Sequence, residues 1–228
     1  MSARVSAYFD GFNFYYGAVR KTPYKWLNIK ELIVHHIPKT DTVTKVKYFT
    51  ARVKPQLEDP LQPARQQAYF RALQTIPEVE IILGFYLEKI KKSKLHLLDT
   101  PILNYLASKL HPSLTYFNKR LILAKTVKQE EKGSDVNLAS HLIHDAHRNA
   151  FDHAIVVTGD SDLIEAIRIV TKEIHKKVTV LNPQSRKSAE LKKVASHYHN
   201  LNKNLLSSCL FPPIMTDGTG TFHKPASW

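Results

Sequence analysis

Ala154-Ile-Val-Val-Thr-Gly-Asp-Ser-Asp-Leu163 is the stretch from which the architecture can be read. Ile155 to Val157 is a β-branched run without a polar residue, as expected of a strand buried on both faces of a parallel sheet. Thr158 and Gly159 permit a tight exit, and Ser161 or Asp160 can cap the next helix. Leu163, Ile164, Ala166, Ile167 and Val170 then recur at helical spacing. A strand therefore hands over to a helix through a turn that carries Asp160 and Asp162. In open α/β sheets ligands gather beyond the carboxyl ends of the strands, which makes both carboxylates site candidates.

The same arrangement opens the chain. Residues 4–9 alternate Val5, Ala7 and Phe9 with more polar neighbours and run into Asp10-Gly-Phe-Asn13, so a second strand delivers an aspartate at its end. Further along, the pattern predicts helices over 14–20, 28–36 and 59–75 and strands over 44–53 and 79–87. A basic turn, Lys89-Ile-Lys-Lys-Ser-Lys94, a short helix over 101–110 and a strand over 120–127 read as an elaboration covering 88–128. A well-marked helix from about Asp135 to 148 precedes the central strand; strand 178–181 and helix 188–196 come after it. Such alternation, with connections too long for hairpins, predicts an α/β fold with a mainly parallel sheet flanked by helices. Residues 1–206 form the predicted domain. From 207 to 228, Pro212, Pro213, Gly218, Gly220 and Pro225 predict an irregular tail, ordered only where Phe211, Phe222 or Trp228 docks.

The 228 residues carry 33 Lys and Arg against 20 Asp and Glu, a formal charge of +13 that favours polyanionic partners such as nucleic acid. The single cysteine, Cys209, rules out an internal disulfide and fits a reducing compartment. No apolar run is long enough for a membrane span, so the expectation is a soluble, cytoplasmic protein with no membrane partner.

Asp135 tops an apolar helical stripe, because Leu138, Ala139, Leu142 and Ala146 share its face. If that helix packs antiparallel to the strands, its N-terminus lies beside their carboxyl ends, near Asp10, Asp160 and Asp162. Carboxylates gathered there repel by about 4 kcal/mol per pair at 4 Å and an effective dielectric of about 20. A hard divalent cation offsets that repulsion, with Mg²⁺ or Mn²⁺ favoured where the substrate brings phosphate oxygens. This donor set points to a phosphodiester hydrolase.

Asp10-Gly-Phe-Asn13, Lys132-Gly-Ser-Asp135-Val-Asn-Leu-Ala139 and Thr158-Gly-Asp-Ser-Asp162-Leu resemble the three motifs of NYN domains. The likeness is to the LabA-like branch of the PIN-like nuclease superfamily, and it extends to Leu181-Asn-Pro183 and Phe211-Pro212. The resemblance implies a Rossmann-like three-layer PIN-like fold and a metal-dependent ribonuclease. Its catalytic and metal-binding cluster maps onto Asp10, Asp135, Asp160 and Asp162, with Asn13 completing the site and Thr158 and Ser161 supporting the metal's ligands or waters. The implied reaction is attack of a metal-activated water on an RNA phosphodiester without a covalent enzyme intermediate. The family's helix usually has a second Asp six residues after the first. This chain has His141 there, and six residues turn a helix to another face.

Lys128 and Lys132 lead into Asp135 and are expected to face the path of the RNA, whether single-stranded or structured. A homodimer suits a basic nuclease that must grip a long chain. The alternative is an RNA-binding or assembly protein that keeps the carboxylate pocket with little or no turnover. A haloacid-dehalogenase-like phosphatase would need an Asp two residues after Asp10, where Phe12 stands and cannot donate a proton. His141, His144 and His147 drift around their helix and do not match common zinc spacings, so they read as solvated or partly buried.

Overall fold

The computed structural model describes residues 2–95 and 122–228, with side chains given for 2–87 and 131–228. It divides into two compact units, one comprising Met1–Tyr86 with Glu131–Trp228, the other Leu87–Glu130.

The larger unit is built on six strands: β1 (Arg4–Asp10), β2 (Thr42–Thr50), β3 (Val79–Leu83), β6 (His153–Val157), β7 (Lys177–Asn182) and β8 (His197–Asn200). Their order across the sheet is β3-β2-β1-β6-β7-β8, with every neighbouring pair parallel. From β1 the chain works outward through β2 to β3, then returns to the middle and works outward the other way. The reversal falls between β1 and β6, the topological switch point at which open α/β sheets hold their ligands. Asp10 ends β1, and Thr158-Gly159-Asp160 comes directly after β6, so both aspartates leave the sheet at that crevice.

Strand alternation explains the layers, because successive side chains point to opposite faces. Val5, Ala7 and Phe9 enter one core with Val46, Ile155, Val157 and Leu181. Tyr8 enters the other with Phe49, Ala154, Val156, Val178 and Val180. The first core is covered by α1 (Gly11–Phe14) and its continuation Tyr15–Val19, by α2 (Ile29–Val34) and by α3 (Gln62–Gln74). The second is covered by α4 (Ser134–His147), α5 (Ile164–Arg168) and α6 (Ala189–Val194). Both faces of β1 are thus dry, and Tyr8 is as buried as the aliphatic residues beside it.

Three expectations change. Lys89 to Lys94, expected as a turn, lies within strand β4 (Phe85–Leu95), which pairs with β5 (Ile122–Lys132) in a separate two-stranded sheet. Strand β8 comes after α6 at the sheet edge, where His197-Tyr-His-Asn200 offers no apolar alternation to announce it. The tail expected to be irregular holds an antiparallel hairpin of β9 (Ile214–Asp217) and β10 (Gly220–His223). Gly220, at φ 119°, supplies the backbone conformation that this turn needs, and Arg71 fixes the hairpin through two bonds to Asp217. Phe211 and Phe222 are buried in the first core and Trp228 packs against it, the docking expected of these residues. The short helix expected over 101–110 lies outside the described residues. Among the described residues, no helix is long and apolar enough to cross a membrane.

Candidate metal centre

Asp10, Asp135 and Asp160 converge, each with one carboxylate oxygen within 4.8 Å of the others. Asp10 arrives on β1 and is nearly fully buried, because both faces of that strand are covered. Its carboxylate accepts from Asn13 N at 2.9 Å, capping α1, and from Thr158 Oγ1 at 3.0 Å. The same Thr158 hydroxyl accepts from Asp160 N at 3.0 Å. One hydroxyl therefore ties the ends of β1 and β6 together across the switch point.

Asp135 arrives on α4. That helix starts after Gly133, whose φ of 96° is a left-handed conformation that favours glycine. Glu131 closes the turn by accepting from Ser134 N at 3.1 Å and Ser134 Oγ at 2.7 Å. Leu138, Leu142 and Ala146 bury the expected stripe against the sheet. Asp135, one helical turn before Leu138, is thereby held toward the strand ends.

Electrostatics arise from burial and crowding. Loss of water pushes the Asp10 carboxyl up to about 7; the charges of Asp135 and Asp160 add to the rise, and the bonds from Asn13 and Thr158 oppose it. Burial also raises Asp135, with Asp160, Glu131 and Asp162 contributing in that order. An uncompensated group of this kind resists full ionisation. Its donors are all hard oxygens, and two ligands on one cation at about 2.0–2.6 Å each stand at most about 4–5 Å apart. The spacing and chemistry of the three carboxylates fit a divalent cation, and among the described residues no other group of acidic, histidine or cysteine side chains does.

The remaining expected site residues take different positions. Asp162 is exposed, lies outside the three-carboxylate group, and gives its backbone N–H to Asp160 Oδ1 at 3.0 Å. Asp160, not Ser161, caps the turn after β6; Ser161 is exposed. Asn13 Oδ1 accepts from Gly159 N at 2.9 Å and Gln184 Nε2 at 3.0 Å, so it braces the loop beneath Asp160. Lys132 is exposed just before α4, and the side chain of Lys128 lies outside those described. His141 does not join the carboxylate group: its Nδ1 is 3.1 Å from Lys47 Nζ, and its ring packs edge-on to Phe49.

Sequence reasoning missed the second tier. Gln184 N donates to Asn182 Oδ1 at 2.9 Å, while Asn182 Nδ2 donates to Arg186 O and Tyr198 Oη, each at 2.8 Å. A Cβ on Gly159 would stand 2.5 Å from Asn182 Oδ1, so this loop packs on the end of β7 without room for a side chain. The available signal was Asn182 at the end of a third strand, in the position that Asp10 takes on the first.

Comparison with known proteins places this geometry among relatives. The family model for the NYN domain matches residues 102–202, a span that contains Asp135, Asp160 and Asp162, while Asp10 precedes it. The chain is 31% identical over 249 aligned positions to a Pseudomonas putida protein named 6-hydroxy-3-succinoylpyridine 3-monooxygenase HspA, covering 99% of this chain and 75% of that one. A crystal structure of a Vibrio parahaemolyticus protein of unknown function superposes with a TM-score of 0.51 at 16% identity, covering 88% and 94% of the two chains. That likeness, with the six-stranded parallel sheet, bears out the expected α/β fold flanked by helices and is consistent with a PIN-like NYN domain.

Proposed function

Since the chain belongs to the NYN-domain family, we propose that it is a divalent-metal-dependent ribonuclease, of the LabA-like branch, that hydrolyses RNA phosphodiesters at the carboxylate crevice. The observation that carries this reading is the convergence of Asp10, Asp135 and Asp160 within 4.8 Å at the switch point of the sheet. In it, Asp10, Asp135 and Asp160 hold Mg²⁺ or Mn²⁺, and exposed Asp162 borders the crevice on the solvent side. When bound, such a cation acidifies water and stabilises charge on phosphate oxygens. Thr158 fixes the Asp10 carboxylate, and Asn13 with Gln184 holds the Gly159 turn so that Asp160 keeps its aim. Ser161, exposed beside Asp160, would contact an incoming phosphate or its water. Lys128 and Lys132 would draw single-stranded or structured RNA toward Asp135, and a homodimer would lengthen the grip. The basic surplus of the chain favours such a partner.

The test is cleavage of end-labelled single-stranded RNA and DNA by wild type and Asp160→Asn, with Mn²⁺, Mg²⁺ or EDTA. Metal-dependent RNA cleavage that is lost in the folded variant supports the proposal. RNA retained without cleavage favours a binding or assembly role. A second reading, a hydroxylase of small aromatic substrates, is favoured by the 31% identity over 99% of this chain to a protein named as a pyridine monooxygenase. Mass-spectrometric detection of an oxygenated product from 6-hydroxy-3-succinoylpyridine, given dioxygen and a two-electron reductant, would put that reading ahead.

A further inference from the structure

The solvent-facing aromatic side chains of this chain are not scattered over its surface. Among the described residues, Tyr16 and Phe85 are the only Phe, Tyr or Trp side chains that are exposed, at 59% and 57%. Each stands beside an element that delivers a carboxylate. Tyr16 continues α1, the helix that Asp10 caps, and it lies four residues after Phe12, so the two share a face. Phe85 lies against Gly133, with its ring 3.7 Å from where a Cβ there would stand, and Gly133 leads into Ser134 and Asp135.

Strand alternation joins the two flanks. Phe85 and Tyr86 open β4 and point to opposite sides of it, so while Phe85 meets Gly133, Tyr86 turns toward α1. There its ring packs edge-on to Phe12, with centroids 6.1 Å apart and planes at 86°. Burial pushes the Tyr86 phenol up to about 12, with Tyr16 and then Glu131 adding to the rise. Glu131 is the residue that closes the turn before Asp135, so Tyr86 reaches from one flank to the other. Arg20 lies over the Tyr16 ring, 5.2 Å from its centroid, and adds a cation. Single exposed apolar side chains are ordinary, but rings grouped around a carboxylate site mark a binding surface.

We propose that Phe12, Tyr16, Phe85 and Tyr86 form a rim on which unpaired nucleobases stack while a neighbouring phosphate sits at the carboxylates, so that the site takes single strands and rejects duplex. The inference rests on the ribonuclease reading and adds to it the strand state of the substrate. Every base has a flat π face, so stacking recognises an unpaired nucleotide with little regard to its identity. In a duplex those faces are covered by neighbouring base pairs, and a base must be unstacked and unpaired before it can reach the rim. Arg20 narrows the choice of occupant: a guanidinium over a tyrosine face supports stacking and offers charge to a phosphate, in a chain whose formal charge is +13. An apolar protein partner would be served as well by leucine as by a flat ring, which gives the test its contrast.

The probes are a fluorescein-labelled oligouridylate, an oligoadenylate and the duplex of the two, titrated with the full chain in Ca²⁺ and read by anisotropy. Wild type should bind either single strand about tenfold more tightly than the duplex. Tyr16→Leu and Phe85→Leu keep apolar area but lose the flat face, and each should weaken single-strand binding about tenfold. Tyr16→Trp and Phe85→Trp should retain it, and circular dichroism confirms that each variant is folded. Arg20→Gln should reduce the slope of log affinity against log salt by about 0.7. A 2-aminopurine stepped along the oligouridylate should be quenched by wild type at one or more positions and by the double Leu variant at none. Cleavage of the same strands with Mn²⁺ is followed in parallel. Single-strand binding as tight in both Leu variants as in wild type, or duplex bound as tightly as single strands, overturns the rim, and the ribonuclease reading survives if cleavage persists. Ring-dependent binding without cleavage supports the rim and removes the ribonuclease reading. A wild type that binds no strand overturns both.

Discussion

Replacing Asp10 with Asn should stabilise the metal-free protein at alkaline pH, although it removes a residue assigned to the site. The Asp10 carboxyl rises from 3.8 to about 7 on folding, chiefly through burial. At about 1.4 kcal/mol per pH unit that shift corresponds to roughly 4 kcal/mol. The sign comes from proton counting: between these two values the folded state holds a proton that the unfolded state has lost, so this contribution is complete below 3.8 and is lost as pH rises through 7. Above pH 7 the folded wild type must keep a buried carboxylate ionised. Asn removes that burden and keeps the acceptor for Asn13 N, but it presents an amide N–H₂ to Thr158 where a carboxylate oxygen accepted before, at a cost of about 1 kcal/mol.

The net expectation, in EDTA at pH 8, is a variant about 3 kcal/mol more stable than wild type by urea unfolding. The advantage should shrink through pH 6 and vanish or reverse near pH 4. Adding Mn²⁺ at pH 8 to about a hundred times its dissociation constant should stabilise wild type by about 2.7 kcal/mol and the variant by much less. A variant no more stable than wild type at pH 8 would refute the reasoning, because Asp10 would then bear no unbalanced charge for a cation to neutralise.

The other predictions concern the scaffold and the substrate path. Lys47 Nζ and Asp145 Oδ2 lie 2.6 Å apart with side chains 11% and 14% exposed, and Tyr8 Oη donates to the same carboxylate oxygen at 2.7 Å. Asp145→Ala should therefore cost about 3–5 kcal/mol by denaturant unfolding, and adding Lys47→Met should recover most of it. Gly11→Ala places a Cβ 2.6 Å from Phe49 O and 2.9 Å from the Tyr48 ring, so it should destabilise by about 1–3 kcal/mol and lower the melting temperature by several degrees. Under the ribonuclease reading, Lys128→Glu and Lys132→Glu should each weaken RNA binding and reduce the slope of log affinity against log salt by about one, measured by filter binding or anisotropy. An unchanged slope would remove these lysines from the RNA path.

What the sequence disclosed, and what it hid, divides along a physical line. β1, β6 and the stripe of α4 were legible because side-chain periodicity is local: Val5, Ala7 and Phe9 alternate, and Asp135, Leu138 and Leu142 share a helical face. A strand-end aspartate is set by the same local geometry, which is why Asp10 and Asp160 are legible in the chain alone. The contacts that hold them are not. Thr158 reaches Asp10 over 148 residues, Gln184 reaches Asn13 over 171, and Lys47 reaches Asp145 over 98. No spacing rule encodes a partner chosen by proximity in the folded state. His141 lies between the two cases: helical rotation alone turned it from the face of Asp135, but only the fold supplies Lys47 and Phe49 as its neighbours. Lys47 donates to Nδ1, which requires that nitrogen to be unprotonated, and burial and the lysine charge lower the imidazole pKa in the same direction. The residue standing in place of a family aspartate thus belongs to the helix-to-sheet clamp. It helps hold α4 on the sheet, and with it Asp135, without joining the carboxylates.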